Sequence, residues 1–104
     1  EINPTATPNL RELMDILQEG TAALVRSISF LRNHLPEASA QAMAARKAEN
    51  RFTKGYRASM KELLEMEDVR FILRAKEVYR SLMLMADKID RVGEKLQHCI
   101  IKMS

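Results

Sequence analysis

An all-α fold, an antiparallel three-helix up-down-up bundle, is what this 104-residue sequence predicts. Apolar residues recur in steps of three and four through three long stretches, the spacing of one helix face, and no period-two alternation persists. The three prolines (Pro4, Pro8 and Pro36) all lie in the first third, so nothing from Glu37 to Ser104 breaks a helix through proline. The gaps between the stretches are short, and short connections make neighbouring helices antiparallel.

Residues 1–8 read as an extended leader, and residues 9–104 as a single domain. Asn9 can cap the first helix, with Glu12 completing a capping-box pattern. That helix is predicted over about residues 10–33. Leu10, Leu17, Leu24 and Leu31, with Met14, Thr21, Ile28 and Leu35, form its predicted core stripe. Gly20 costs about 1 kcal/mol against Ala and suits a close crossing. The segment His34–Glu37 is the first turn, with Pro36 opening a second helix over about residues 36–66 and Glu37 favourable at its positive end. Alanines 38, 40, 42, 44, 45 and 48 let a neighbouring helix approach the first half of that helix. Glu67–Asp68 is the second break, Asp68 being the candidate cap of a third helix over about residues 69–102. Its stripe is Ala75, Leu82, Ile89, Leu96 and Met103 with Ile72, Tyr79, Ala86, Gly93 and Ile100.

Hydrophobic residues make up 46% of the chain, enough for one core, but aromatics are 5% and Trp is absent. The core is therefore expected to use Leu, Ile, Ala and the seven Met. Lys and Arg exceed Asp and Glu by 17 − 14 = 3, a mildly basic balance that permits anionic or acidic partners without demanding them. The single Cys99 excludes an internal disulfide and is expected as a small core side chain. No apolar run reaches the roughly 18–20 residues that span a bilayer, and no signal-peptide pattern is present, so direct membrane insertion is not expected and the reading is cytoplasmic. Opening on Glu1 and not on Met suggests a piece of a longer protein.

Glu49 is the residue that breaks the pattern. It falls in the row Ala45, Glu49, Phe52, Tyr56, Ser59, Leu63, on one face of the second helix. A carboxylate there must reach water, pair with a cation or hold a metal, because burying it bare costs several kcal/mol or more. On the third helix Asp87, Asp90 and Glu94 share one edge of the stripe. Carboxylates a turn apart, facing acids on another helix, are how bundles bind divalent ions. The plainer reading is an acidic edge paired with Lys88, Arg91 and Lys95. Glu94, His98 and Cys99 have a spacing used in zinc sites, but no four ligands converge, and His98 is expected at the surface. Lys47, Arg51, Lys54 and Lys61 share one face, and Lys88, Arg91, Lys95 and Lys102 another; without interleaved aromatics they read as solvated faces and not as a nucleic-acid surface. No catalytic residue is assigned, since neither a nucleophile–base pair nor a Gly-rich phosphate loop is present.

The second and third helices resemble the PhoU-like phosphate-transport regulators, in the branch associated with inorganic phosphate transporters. The resemblance runs from about Ala48 to Ser104 through Glu49–Asn50, Tyr56–Arg57, Leu63–Leu64–Glu65, Ile72–Leu73, Lys76–Glu77–Val78–Tyr79, Leu82, Asp87, Val92, Leu96 and Ile100–Ile101–Lys102. It implies one spectrin-like three-helix repeat, the second of the two that make up that fold, and hence a homodimer or a longer chain. It also implies a non-enzymatic role in regulating phosphate uptake. The partner would be a phosphate transporter or its membrane-embedded domain, with the chain held at the inner face of the membrane through that partner or a preceding region. A helical oligomerisation or scaffold module is the alternative.

Family members carry Glu-x-x-x-Asp pairs that bind metal in some relatives, and here the pattern is eroded. Glu49 matches one acid with Thr53 in the partner position; Asp87 matches another with Met83 in place of its companion, and Arg91 stands at the next position. The resemblance therefore implies a degenerate metal site and no bound cofactor, with a single divalent ion between Glu49 and Asp87, or a salt bridge from Glu49 to Arg91 or a lysine, as alternatives.

Overall fold

A computed structural model describes residues 6–104 as three helices: α1, Ala6–Phe30; α2, Leu35–Leu64; and α3, Val69–Met103. They form a rod of 54 × 18 × 16 Å, whose long axis matches the 35 residues of α3 at about 1.5 Å each. Contacts fix the directions. Leu13 lies against Gly55, Gly20 against Ala48, and Ser27 bonds Ala38, so α1 and α2 run antiparallel. Arg46 meets Asp90 and Gln97 while Tyr56 meets Tyr79, so α2 and α3 are antiparallel and the bundle is up-down-up.

The helix ends follow local chemistry. α1 begins at Ala6, so residues 6–8 are helix and not leader, and Asn9 lies inside the helix and not at its cap. Pro8 is tolerated there because the first four N–H groups of a helix have no partner within it. Residues 1–5 lie outside the described residues. α1 stops at Phe30, a turn short of the predicted end, and the His34 N–H donates to the Phe30 carbonyl at 2.9 Å. Pro36 sits in the first turn of α2. The buried Ser27 hydroxyl donates to the Ala38 carbonyl at 2.8 Å and ties the end of α1 to the start of α2. Asp68 caps α3 as the sequence suggests, its carboxylate accepting from the Phe71 N–H at 3.2 Å.

The core is narrow. α1 contributes Leu13, Leu17, Ala23 and Leu24; α2 contributes Ala38, Ala42, Ala45, Ala48, Phe52 and Leu63; α3 contributes Tyr79, Leu82, Ala86, Ile89, Leu96 and Ile100. The α3 stripe falls largely where predicted. The α1 stripe is rotated: Leu13, Gly20 and Ser27 are buried, whereas Met14, Thr21 and Ile28 are exposed. The reason is visible at Gly20. A Cβ there would lie 3.3 Å from Ile89 and 3.5 Å from Ala48, so the bare backbone at Gly20 lets α1 lie close to both α2 and α3 with this edge inward. None of the seven methionines is buried; Met60, Met66 and Met83 pack against the core edge, while Met14, Met43, Met85 and Met103 are exposed. Leucine, alanine and isoleucine build the core as expected, joined by Phe52 and Tyr79, while the methionines expected with them stay at its edge or outside it.

Aromatic rings gather toward the other end of the rod. Phe52 and Tyr56 stack at 6.1 Å, and Tyr56 meets Tyr79 edge-on at 6.2 Å. Burial, and after it the Glu62 carboxylate, pushes the Tyr79 phenol above its ordinary 10.0, against a Ser59 hydrogen bond that lowers it. The folded phenol thus holds its proton more tightly than the unfolded one. Its contribution to stability is full below pH 10.0 and is lost as pH rises through the raised folded value. Thermal unfolding followed from about pH 8 to about pH 11 is expected to show an alkaline fall that is smaller in Tyr79→Phe. Equal slopes for the two proteins would contradict the assignment.

Candidate functional site

The polar centre of the molecule lies where α2 crosses α3. Gly93 has no side chain, and a Cβ there would lie 3.0 Å from Arg46 Cγ, so the Arg46 stem lies across α3 at that point. Its guanidinium spans two turns: Nε donates to Asp90 Oδ1 at 3.2 Å and Nη1 to Gln97 Oε1 at 2.9 Å. The Arg46 and Asp90 side chains are 38% and 39% exposed, so the pair is partly solvated and worth roughly 0–1 kcal/mol. Beside it lies an open cleft of about 380 Å³, lined by Ser39, Arg46, Glu94, Gln97, His98 and Ile101 among others. Its fixed charges are mixed, and its guanidinium is already engaged by two acceptors.

Glu49 is satisfied within its own helix. Thr53 Oγ1 lies 2.9 Å from Glu49 Oε2, to which it donates, and 3.1 Å from the Glu49 carbonyl. Ala48 takes the buried position and Glu49 the half-buried flank, so the acid stands at the edge of the core and not on its central row. Thr53, which the sequence pattern marks as a departure, is the group that positions the carboxylate. Glu49 forms no ion pair with Arg91 or a lysine among the described residues.

The other predicted site residues are dispersed. Asp87 and Arg91 are exposed, Met83 is half-buried against the core, and Asp90 is held by Arg46. Glu94 and His98 are exposed on the cleft rim. Cys99 is exposed, contrary to the core position expected of it, with its Sγ 3.6 Å from Met103 Sδ. Among the described residues no group of three or more His, Cys, Asp or Glu side chains is arranged to hold a metal ion. Of the predicted acids, Glu49 is bonded by Thr53 and Asp90 is engaged by the Arg46 guanidinium.

Comparison with family models, curated proteins and solved structures returns no significant match.

Arg46 is the residue that sequence reasoning missed. It adjoins Lys47 in an apparently solvated basic run, and only its position one turn beyond Ala42, on the alanine-lined side of α2, hinted that it faces α3. Arg51 of the predicted basic face pairs with Glu19 of α1 at 2.7 Å, while Lys47, Lys54 and Lys61 are exposed.

A second feature is apolar. Between α1 and α3 runs a groove of about 460 Å³ with Leu17 and Leu82 at its floor and Met14, Thr21, Ala22 and Met85 along its walls. Met14 is 52% and Met85 50% exposed, and Ile28, Val25, Val78 and Val92 extend the exposed apolar surface along the two helices.

Proposed function

We propose that this chain is a non-catalytic domain that works by binding other proteins, and that its biological setting is the regulation of phosphate uptake. The groove between α1 and α3 carries the first part: large apolar side chains in adjacent rows on two helices are characteristic of an interaction surface. The second part rests on the resemblance of the α2–α3 sequence to PhoU-like regulators. No described helix is long and apolar enough to cross a membrane, so contact with a transporter would be through protein surfaces. A scaffold or oligomerisation module would use the same surface, and sedimentation of the purified chain separates self-association from a purely heterologous role.

Two measurements test the reading. Deleting the gene is expected to alter phosphate uptake or its response to phosphate starvation; an unchanged uptake and response overturns the transport assignment. Metal titration of the purified chain, with Glu49→Gln and Asp87→Asn alongside, is expected to leave unfolding midpoints unchanged by manganese or magnesium. A metal-dependent rise in the parent protein that both variants abolish overturns the metal-free role.

A further inference from the structure

We propose that the α1–α3 groove receives an acidic amphipathic helix from a partner protein. The inference deepens the protein-binding reading and is independent of the phosphate assignment. The shape comes first: the concave part runs from Met14 to Ala22 on α1, about two helical turns, against Leu82 and Met85 of α3, and exposed apolar residues continue to Val25 and Ile28 on α1 and to Val78 and Val92 on α3. A concave channel between two helices fits a third rod better than it fits the flat surface of a bilayer. Met14 and Met85 on its walls are flexible enough to adapt to the occupant's side chains.

Charge selects the occupant. Three residues beyond Met85, Val92 and Cys99 come Lys88, Lys95 and Lys102, the next row outward on α3. All three lysines are exposed, and none forms an ion pair with a described residue. Their own helix offers no acid to any of them at three or four residues in either direction. The rim on α1 is Gln18, Ala22 and Ser29, with Asp15 its single acid, one turn from Arg11. The groove is thus mostly apolar and bordered by a lysine row that the chain does not neutralise. Two copies meeting through this face would bring two such rows together, which disfavours self-docking. A helix with apolar residues at i, i+3, i+4 and i+7 and with Asp or Glu along one border supplies both complements.

The test uses the full chain and two labelled amphipathic peptides of about five turns, identical in their leucine face, one with glutamate and one with lysine on the borders. Fluorescence anisotropy is expected to show binding of the acidic peptide and about tenfold weaker binding of the basic one. The double variant Lys88→Glu/Lys95→Glu is expected to reverse that preference, and Met85→Asp to abolish binding of both peptides; these exposed positions leave thermal unfolding close to that of the parent. Equal binding of the two peptides, binding of neither, or binding unaffected by the three substitutions overturns the proposal. So does a stable homodimer dispersed by Met85→Asp, or binding to phosphatidylserine vesicles in place of the acidic peptide. Altered phosphate uptake in the deletion strain without peptide binding would sink this inference alone, and peptide binding with normal uptake would sink the transport assignment alone.

Discussion

Phe52→Ala is expected to destabilise the domain by about 3–5 kcal/mol, a large share of the roughly 5–15 kcal/mol typical of a folded domain. Phe52 is 0% exposed, the largest fully buried side chain among the described residues, and it stands at mid-length on α2. Aromatic residues are few, so one ring carries an unusual share of the buried apolar surface. The buried residues nearest it along α2, Ala48 and Ser59, are short, so refilling of the space falls to Tyr56, which stacks on the ring at 6.1 Å and also meets Tyr79. The cavity term adds to the lost transfer energy to the extent that Tyr56 keeps its place. Urea unfolding followed by circular dichroism measures it, and a loss below about 1 kcal/mol would show that the bundle collapses around the gap.

Ala45→Leu is expected to cost about 1–3 kcal/mol for the opposite reason. Ala38, Ala42 and Ala45 are 0% exposed and line the face of α2 that its neighbours approach most closely. Three extra heavy atoms at that seam would force the helices apart along a rod only 18 × 16 Å in cross-section. The adjacent Ala44 is exposed, so Ala44→Leu is expected to change stability by no more than about 0.5 kcal/mol. Unfolding midpoints of the pair give a direct reading. Equal effects at the two positions would mean that the close seam is not a constraint.

The two substitutions lie one residue apart, yet only the three-dimensional packing separates them in the first half of α2, where six alanines offer no hydrophobic contrast to orient the helix. The same ambiguity explains α1. Leucines every seven residues marked the central row, but Met14, Thr21 and Ile28 on one side and Leu13, Gly20 and Ser27 on the other are comparable flanks by sequence. Leu13, Gly20 and Ser27 went inward, with Gly20 lying against Ile89 and Ala48, and Met14, Thr21 and Ile28 were left on the surface. That reversal created the groove. For the candidate site, the types of the key residues were readable and their partners were not. Glu49 was expected to reach water, pair with a cation or hold a metal, while the group that bonds it, Thr53, lies one turn away on its own helix. Arg46 was unreadable because its acceptors lie 44 and 51 residues further along the chain.

The sequence alone determined the all-α class, three long helices, two short breaks and the Asp68 cap. These depend on interactions spanning a few residues: apolar spacing, the absence of proline after Pro36, and a carboxylate next to free N–H groups. Tertiary structure decided the rotation of each helix about its axis, the placing of Glu49 at the core edge, the Arg46 bridge and the exposure of the methionines. A helix with apolar flanks on both sides of its stripe can turn by tens of degrees at little local cost, and that freedom is removed only when glycine and alanine on facing helices dictate where the backbones come closest.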